Sequence, residues 1–155
     1  MHLSEATADD IPTLIECWYA LATETEQYDD TNEIVYDSVG DVPEDGFRGH
    51  LERDDMMNYL IEEDDTTLGF VTLRTGTHPS RAYTKYIDIV NLLVKAEYRS
   101  QGYGAEVVER VKERAKENGC DHLKVSCEWY NRDARRFYKD TGFEEKQVKF
   151  VQKLT

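Results

Sequence analysis

The sequence predicts a single domain of mixed α+β class over residues 1–155, on three observations. Helix-type and strand-type hydrophobic periodicities alternate along the chain. An almost continuous apolar run, Ile87 to Val94, leads through a glycine-containing turn into the most amphipathic segment. No stretch has the composition of a linker between two cores, and with 39% hydrophobic and 11% aromatic residues the chain can enclose one modest core.

Taken in order, Ile11, Leu14, Ile15, Trp18 and Leu21 recur at three- and four-residue spacing and predict a helix over 8–22, capped by Asp9 or Asp10, with Pro12 in its first turn. Residues 23–53 are acidic and interrupted by Gly40, Pro43, Gly46 and Gly49, which predicts loops and helix fragments. Runs at 56–61 and 68–74 are β-prone and flank the acids Glu62 to Asp65, as in an antiparallel hairpin. Residues 83–94 read as a strand covered on both faces. Val107, Val108, Val111 and Ala115 share one stripe of a helix that starts at Gly104 or Ala105 and stops before Gly119. A strand over 122–127, a helix over 132–139 and a last strand over 144–154, with Val148, Phe150 and Gln152 alternating, complete the order αβββαβαβ.

Charge and cysteine content exclude several classes. The net charge is −13, divided into −17 over residues 1–79 and +4 over 80–155. Such a chain repels polyanions overall, which argues against nucleic acid, while its basic second half suits a phosphorylated ligand and its acidic first half a cation. An acidic surface kept for solubility is the competing explanation of the first half. No window is apolar enough to span a bilayer, and the first ten residues lack a signal core, so a soluble, cytoplasmic protein is expected. Cys17, Cys120 and Cys127 form no C-x-x-C pair and sit at no zinc-type spacing with the four histidines; reduced thiols and no metal are expected.

Chemistry concentrates at Arg99-Ser100-Gln101-Gly102-Tyr103-Gly104. A strand, a turn and a helix start follow one another there, so free N–H groups and the positive end of the helix dipole converge, and the two glycines open the approach to a phosphate. The dinucleotide fingerprint needs a glycine where Val107 stands, and the ATPase loop needs a Gly-Lys-Ser/Thr ending that is absent.

The turn resembles motif A of the GNAT superfamily of N-acetyltransferases, Arg/Gln-x-x-Gly-x-Gly/Ala. Asn131, Ala134, Phe137, Tyr138 and Gly142-Phe143 are similar to its motif B, and Glu5-Ala6-Thr7 with Asp9-Asp10-Ile11-Pro12 to its opening strand and helix. The resemblance covers nearly the whole chain. It implies a mostly antiparallel twisted sheet of six to seven strands, about four helices, and a splayed parallel pair at the cofactor cleft. It also implies acetyl-CoA as cosubstrate, a small-molecule or peptide amine as acceptor, direct attack rather than a cysteine intermediate, and the option of a homodimer.

Carried over by position, Arg99, Ser100, Gln101, Gly102, Tyr103, Gly104 and Ala105 would hold the CoA pyrophosphate. Leu92, Leu93 and Val94 would meet the pantetheine arm through their backbone, and Asn131 would touch that arm. Tyr138 would sit near the thioester sulfur as the acid, or else be a satisfied core aromatic. Asp88 resembles the family's catalytic glutamate but is shorter, so two readings stand: a base, or an acid paired with a neighbouring strand or Lys85. Glu128 is the reserve base. Residues 24–55, with Tyr28, Tyr36, Trp129 and Tyr130, would wall the acceptor cleft or form core and rim. A non-catalytic acetyl-CoA sensor on the same fold is the alternative function, and a cofactor-free structural protein a third.

Overall fold

A computed structural model describes residues 1–155. Its elements are β1 (His2–Glu5), α1 (Ile11–Thr25), α2 (Asp45–Glu52), β2 (Met56–Glu63), β3 (Thr66–Thr77), β4 (Lys85–Val94), α3 (Tyr103–Glu117), β5 (His122–Val125) and α4 (Arg132–Asp140). They form one five-stranded sheet in the order β1-β2-β3-β4-β5, antiparallel throughout except for the parallel pair β4-β5.

Each face of the sheet carries its own core. Strand alternation sends Tyr59, Ile61, Val71, Leu73, Ile87 and Ile89 to one face, where Val107, Val111 and Ala115 of α3 cover them. The opposite residues Leu60, Phe70 and Leu93 meet Ile11, Leu14, Ile15 and Cys17 of α1 and Phe47 of α2. The valine stripe of α3 is fully buried, which removes roughly 1.5–3 kcal/mol of apolar exposure per side chain. β2 and β3 join through Asp64 and Asp65 at φ 49° and 65°, the two left-handed positions of a two-residue hairpin turn.

Two expectations change and a third holds. A short strand, β1, precedes the first helix, and that helix begins at Ile11 after a single 3-10 turn, Ala8–Asp10; Asp10 reaches back to accept the Thr7 N–H at 2.9 Å. After α1 runs on to Thr25, residues 26–53 hold the short helix α2 among 3-10 turns and loops, as expected of that acidic stretch. The strand expected over 144–154 does not form, so the sheet has five strands where six to seven were expected. Alternation there is real, but no strand edge of this chain lies against it, and alternation without a paired edge does not make a strand.

Candidate functional site

β5 accompanies β4 only from Tyr86↔His122 to Ile89↔Val125. Beyond that point β4 carries a bulge against β3: pairing passes from Ile89↔Leu73 to Asn91↔Thr72, leaving Val90 as the extra residue. Val90 to Val94 therefore hold to β3 alone, while the chain after Val125 runs into a loop. The expected splayed parallel pair is present, open at this end.

The turn that follows β4 lies across the opening. After the 3-10 turn Ala96–Tyr98, Ser100 takes φ 62° and Gly102 φ 87°, and α3 starts at Tyr103. The first bond of the helix runs from the Glu106 N–H to the Gly102 carbonyl at 3.1 Å. No protein acceptor meets the N–H groups of Ser100 to Ala105. These donors coincide with the positive end of a 15-residue helix, an arrangement suited to an anion.

α4 forms the other wall. Asn131 caps it, its Oδ1 accepting the Ala134 N–H at 3.0 Å, which leaves Nδ2 to donate elsewhere. Tyr138 packs edge-on against Phe137 and Phe143, with ring centroids 5.1 and 5.6 Å away, and its hydroxyl makes no hydrogen bond within the chain. Burial, reinforced by nearby Cys127, pushes its pKa up to about 12. The Cys127 thiol, though solvent reaches it, is also pushed up, by burial before the opposing effects of Arg135 and of Glu128 and Glu145. A thiol held protonated is a poor nucleophile.

The description of the acetyltransferase (GNAT) family matches residues 15–143, more than half of the chain. The chain belongs to the GNAT family. Aminoalkylphosphonate N-acetyltransferase from Salmonella typhimurium is 26% identical over 99% of the chain and 91% of its own length. The uncharacterized N-acetyltransferase YhfO from Bacillus subtilis is 29% identical over 63% of the chain and 65% of its own length. Of the other curated relatives, a thialysine N-epsilon-acetyltransferase from Bos taurus and an uncharacterized N-acetyltransferase from Methanocaldococcus jannaschii are spanned over 35% and 45% of their length. In fold, a tetramutant of the BH1408 protein from Bacillus halodurans superposes with a TM-score of 0.85 at 16% identity, over 99% of this chain and 100% of that one.

Set on this GNAT frame, the expected residues fall into two groups. Ser100, Gln101 and Gly102 lie on the turn and Tyr103, Gly104 and Ala105 on the first turn of α3; Leu92, Leu93 and Val94 lie on β4 beyond its pairing with β5, the Leu93 side chain in the core; and Asn131 caps α4, to which Tyr138 belongs. Glu128 stands in the loop after β5, half-buried and without an ion pair. Asp88 lies instead on the closed stretch of β4, opposite Lys124, where its carboxylate takes a hydrogen bond from Arg74 Nη2 at 2.8 Å. Trp129 and Tyr130 are exposed, with Arg135 stacked 3.9 Å over the Trp129 ring, and Tyr36 packs edge-on against Trp18.

Two residues of the turn that were expected to hold the pyrophosphate also have partners within the chain that the sequence reading missed. Arg99 donates from Nε to the Val94 carbonyl at 2.7 Å and from Nη2 to both Glu24 oxygens at 2.8 and 3.0 Å, so its charge is spent inside the chain and it braces the turn against the end of α1. A Cβ on Gly104 would stand 3.0 Å from the Phe137 ring; this glycine admits α4 to α3, whereas Gly102 is required by its φ. Glu24 and Phe137 lie 75 and 33 residues from their partners, and no local pattern links them.

Proposed function

We propose that the protein is an N-acetyltransferase that uses acetyl-CoA and acts on a primary amine by direct attack. The observation that carries the reading is the row of unmet N–H donors from Ser100 to Ala105, set on a helix N-terminus where β4 and β5 part. Those amides suit the diphosphate of the cosubstrate, and the stretch Leu92 to Val94, which β5 does not pair and of which Arg99 takes the Val94 carbonyl, suits its amide-bearing arm. Asn131 Nδ2 is free to join them.

Acetyl-CoA supplies the activated acetyl group; the chain orients it and moves protons. The phenol of Tyr138, protonated at neutral pH, donates to the departing sulfur. An alkylamine with a pKa of about 10.4 arrives protonated and must lose a proton before its nitrogen bonds to the acyl carbon and the carbon–sulfur bond breaks. Two carboxylates stand nearby in the chain. Glu128 is the better placed base, because it lies in the loop after β5 beside Asn131 and is in no ion pair, whereas the Asp88 carboxylate is already engaged by Arg74 on the neighbouring strand. Small amines fit the name of the Salmonella relative, and the acids of residues 24–55 favour a cationic one.

Calorimetry with acetyl-CoA, followed by free-thiol release over a panel of amines, tests the reading. Saturable binding, competed by a CoA-type diphosphate, with thiol release on one class of amine is expected. If acetyl-CoA neither produces heat nor raises the melting temperature, the reading falls.

A further inference from the structure

We propose that Asn91 binds a hydroxyl group carried by the acceptor, with Thr72 and Asn58 behind it, so that the substrate is a hydroxylated amine. The inference deepens the acetyl-transfer reading above and rests on it.

Three rows cross the sheet face on which α1 and α2 lie. The strand register sets them out: Leu60, Phe70 and Leu93 in one, Asn58, Thr72 and Asn91 in the next, and Met56, Arg74 and Asp88 in the third. The first is packed against α1 and α2. The middle row is polar, although its neighbour shows that this face can be apolar from strand to strand. Asn58 and Thr72, 2% and 0% exposed, are the only polar residues of the buried core.

This pair satisfies itself only in part. Thr72 Oγ1 donates to Asn58 Oδ1 at 2.7 Å, and Asn58 Nδ2 has no partner. Turning the amide over would give Thr72 the nitrogen and leave the oxygen unmet instead, so one end of a buried amide is open either way. A core selected for packing alone avoids such a group.

The row comes to the surface at Asn91. That residue is half-buried, follows the bulged Val90, and its side chain makes no hydrogen bond within the chain. It belongs to the stretch of β4 that β5 no longer accompanies, one residue before Leu92. A ligand group on Asn91 therefore lies beside the stretch suited to the cosubstrate's arm.

The chemistry of the row selects that group. It offers amides and a hydroxyl, and no charge. The cation next along the face, Arg74, is held by Asp88 at 2.8 Å, so a carboxylate or phosphonate at Asn91 would lose water without gaining a counter-charge. A hydroxyl both donates and accepts, as an amide does. An amine without it leaves Asn91 unpaired once water is excluded, and sites of this kind discriminate strongly against such analogues.

The test is free-thiol release from acetyl-CoA with propylamine, aminopropanol, diaminopropane and aminopropylphosphonate, and with the same four types on butane and hexane chains. At the best chain length the amino alcohol should exceed the plain amine and the phosphonate by about tenfold or more in kcat/KM. Asn91→Leu should bring that ratio close to one with the KM for acetyl-CoA kept, and Asn91→Asp should turn the preference toward the diamine. Thr72→Val should lower the ratio and Thr72→Ser should restore it, which a merely structural role does not do. If Thr72→Val does not fold, the two Asn91 variants decide alone. An amino alcohol no better than the plain amine, a preferred phosphonate or diamine, or a ratio that survives Asn91→Leu overturns the proposal and leaves acetyl transfer standing. Absence of thiol release from every amine removes both.

Discussion

The two ends of the β4-β5 pair are made of the same strands and are finished in opposite ways. At the closed end His78 stacks on Tyr86 at 4.8 Å, His122 lies 5.4 Å from the same ring, and Lys124 sits 3.9 Å over it while bonding His78. Asp121 accepts from the Thr84 N–H and from His122, so even the loop amides are met there. At the open end the chain leaves the Ser100 to Ala105 donors unmet and spends the Arg99 guanidinium on Glu24. The difference teaches where to look for function: the closed end satisfies its polar groups with its own side chains, whereas the open end leaves a contiguous row of backbone donors facing one place.

The largest effect should come from removing the proton held at the open end. Tyr138→Phe keeps the ring between Phe137 and Phe143 and loses only the hydroxyl. Steady-state kinetics should show kcat lower by roughly 10²-fold or more, with acetyl-CoA affinity unchanged. An unaltered kcat would return Tyr138 to the core and leave the open end without an acid.

A matched pair of glycine substitutions tests the two ends against each other. A Cβ at Gly104 stands 3.0 Å from the Phe137 ring, and one at Gly76 stands 2.3 Å from the Tyr86 hydroxyl. Gly104→Val and Gly76→Ala should each cost about 1–3 kcal/mol by overpacking, seen as a lower melting temperature. Only Gly104→Val should also weaken acetyl-CoA binding in calorimetry, because it parts α4 from α3 at the turn. Equal loss of affinity from both would erase the distinction between the ends.

Acid should find the closed end first. Burial, then Lys124, with His122, Lys146 and Arg81 behind it, hold the His78 pKa below its ordinary value. Its native pKa is thus lower than its unfolded one, near 6.5, so the stability it permits is complete above about pH 6.5 and is lost as pH falls through the native value. His50, depressed mainly by burial, acts in the same sense, and the carboxylates act at lower pH. Melting temperatures followed downward from neutral pH should fall less steeply in His78→Phe than in the unaltered protein. Acetyl-CoA affinity should be alike in both; a difference there would mean that the ends communicate.

How much of this was legible in the sequence divides along the same line. The Ile87 to Val94 run, the glycine turn and the valine stripe of α3 are local patterns, and they located the open end, the helix whose N-terminus faces it and the strand that splits. Gly102 was read for space and proved to be needed for its φ, because an open approach and a left-handed backbone both select glycine. Asp88 was read two ways, and the structure pairs it with Arg74 on the neighbouring strand, a contact that depends on hairpin register rather than on sequence spacing. The strand over 144–154 was read from alternation alone, and alternation says which faces a strand would have without saying whose edge it joins.

The smallest effect tests whether the open end carries strain as well as unmet donors. Ser100 holds φ 62°, a conformation that costs an L-residue about 1–2 kcal/mol and that glycine reaches freely. Glycine loses part of that advantage through the greater freedom of its unfolded chain, roughly 0.5–1 kcal/mol, so Ser100→Gly should gain less than about 1 kcal/mol. For a chain of 155 residues that is a rise of about 1–3 °C in melting temperature. Acetyl-CoA should bind Ser100→Gly no more tightly than the unaltered protein, because the serine already holds the turn in its binding shape. A stable variant with weakened binding would show that the rigidity of Ser100, and not only the amides around it, belongs to the site.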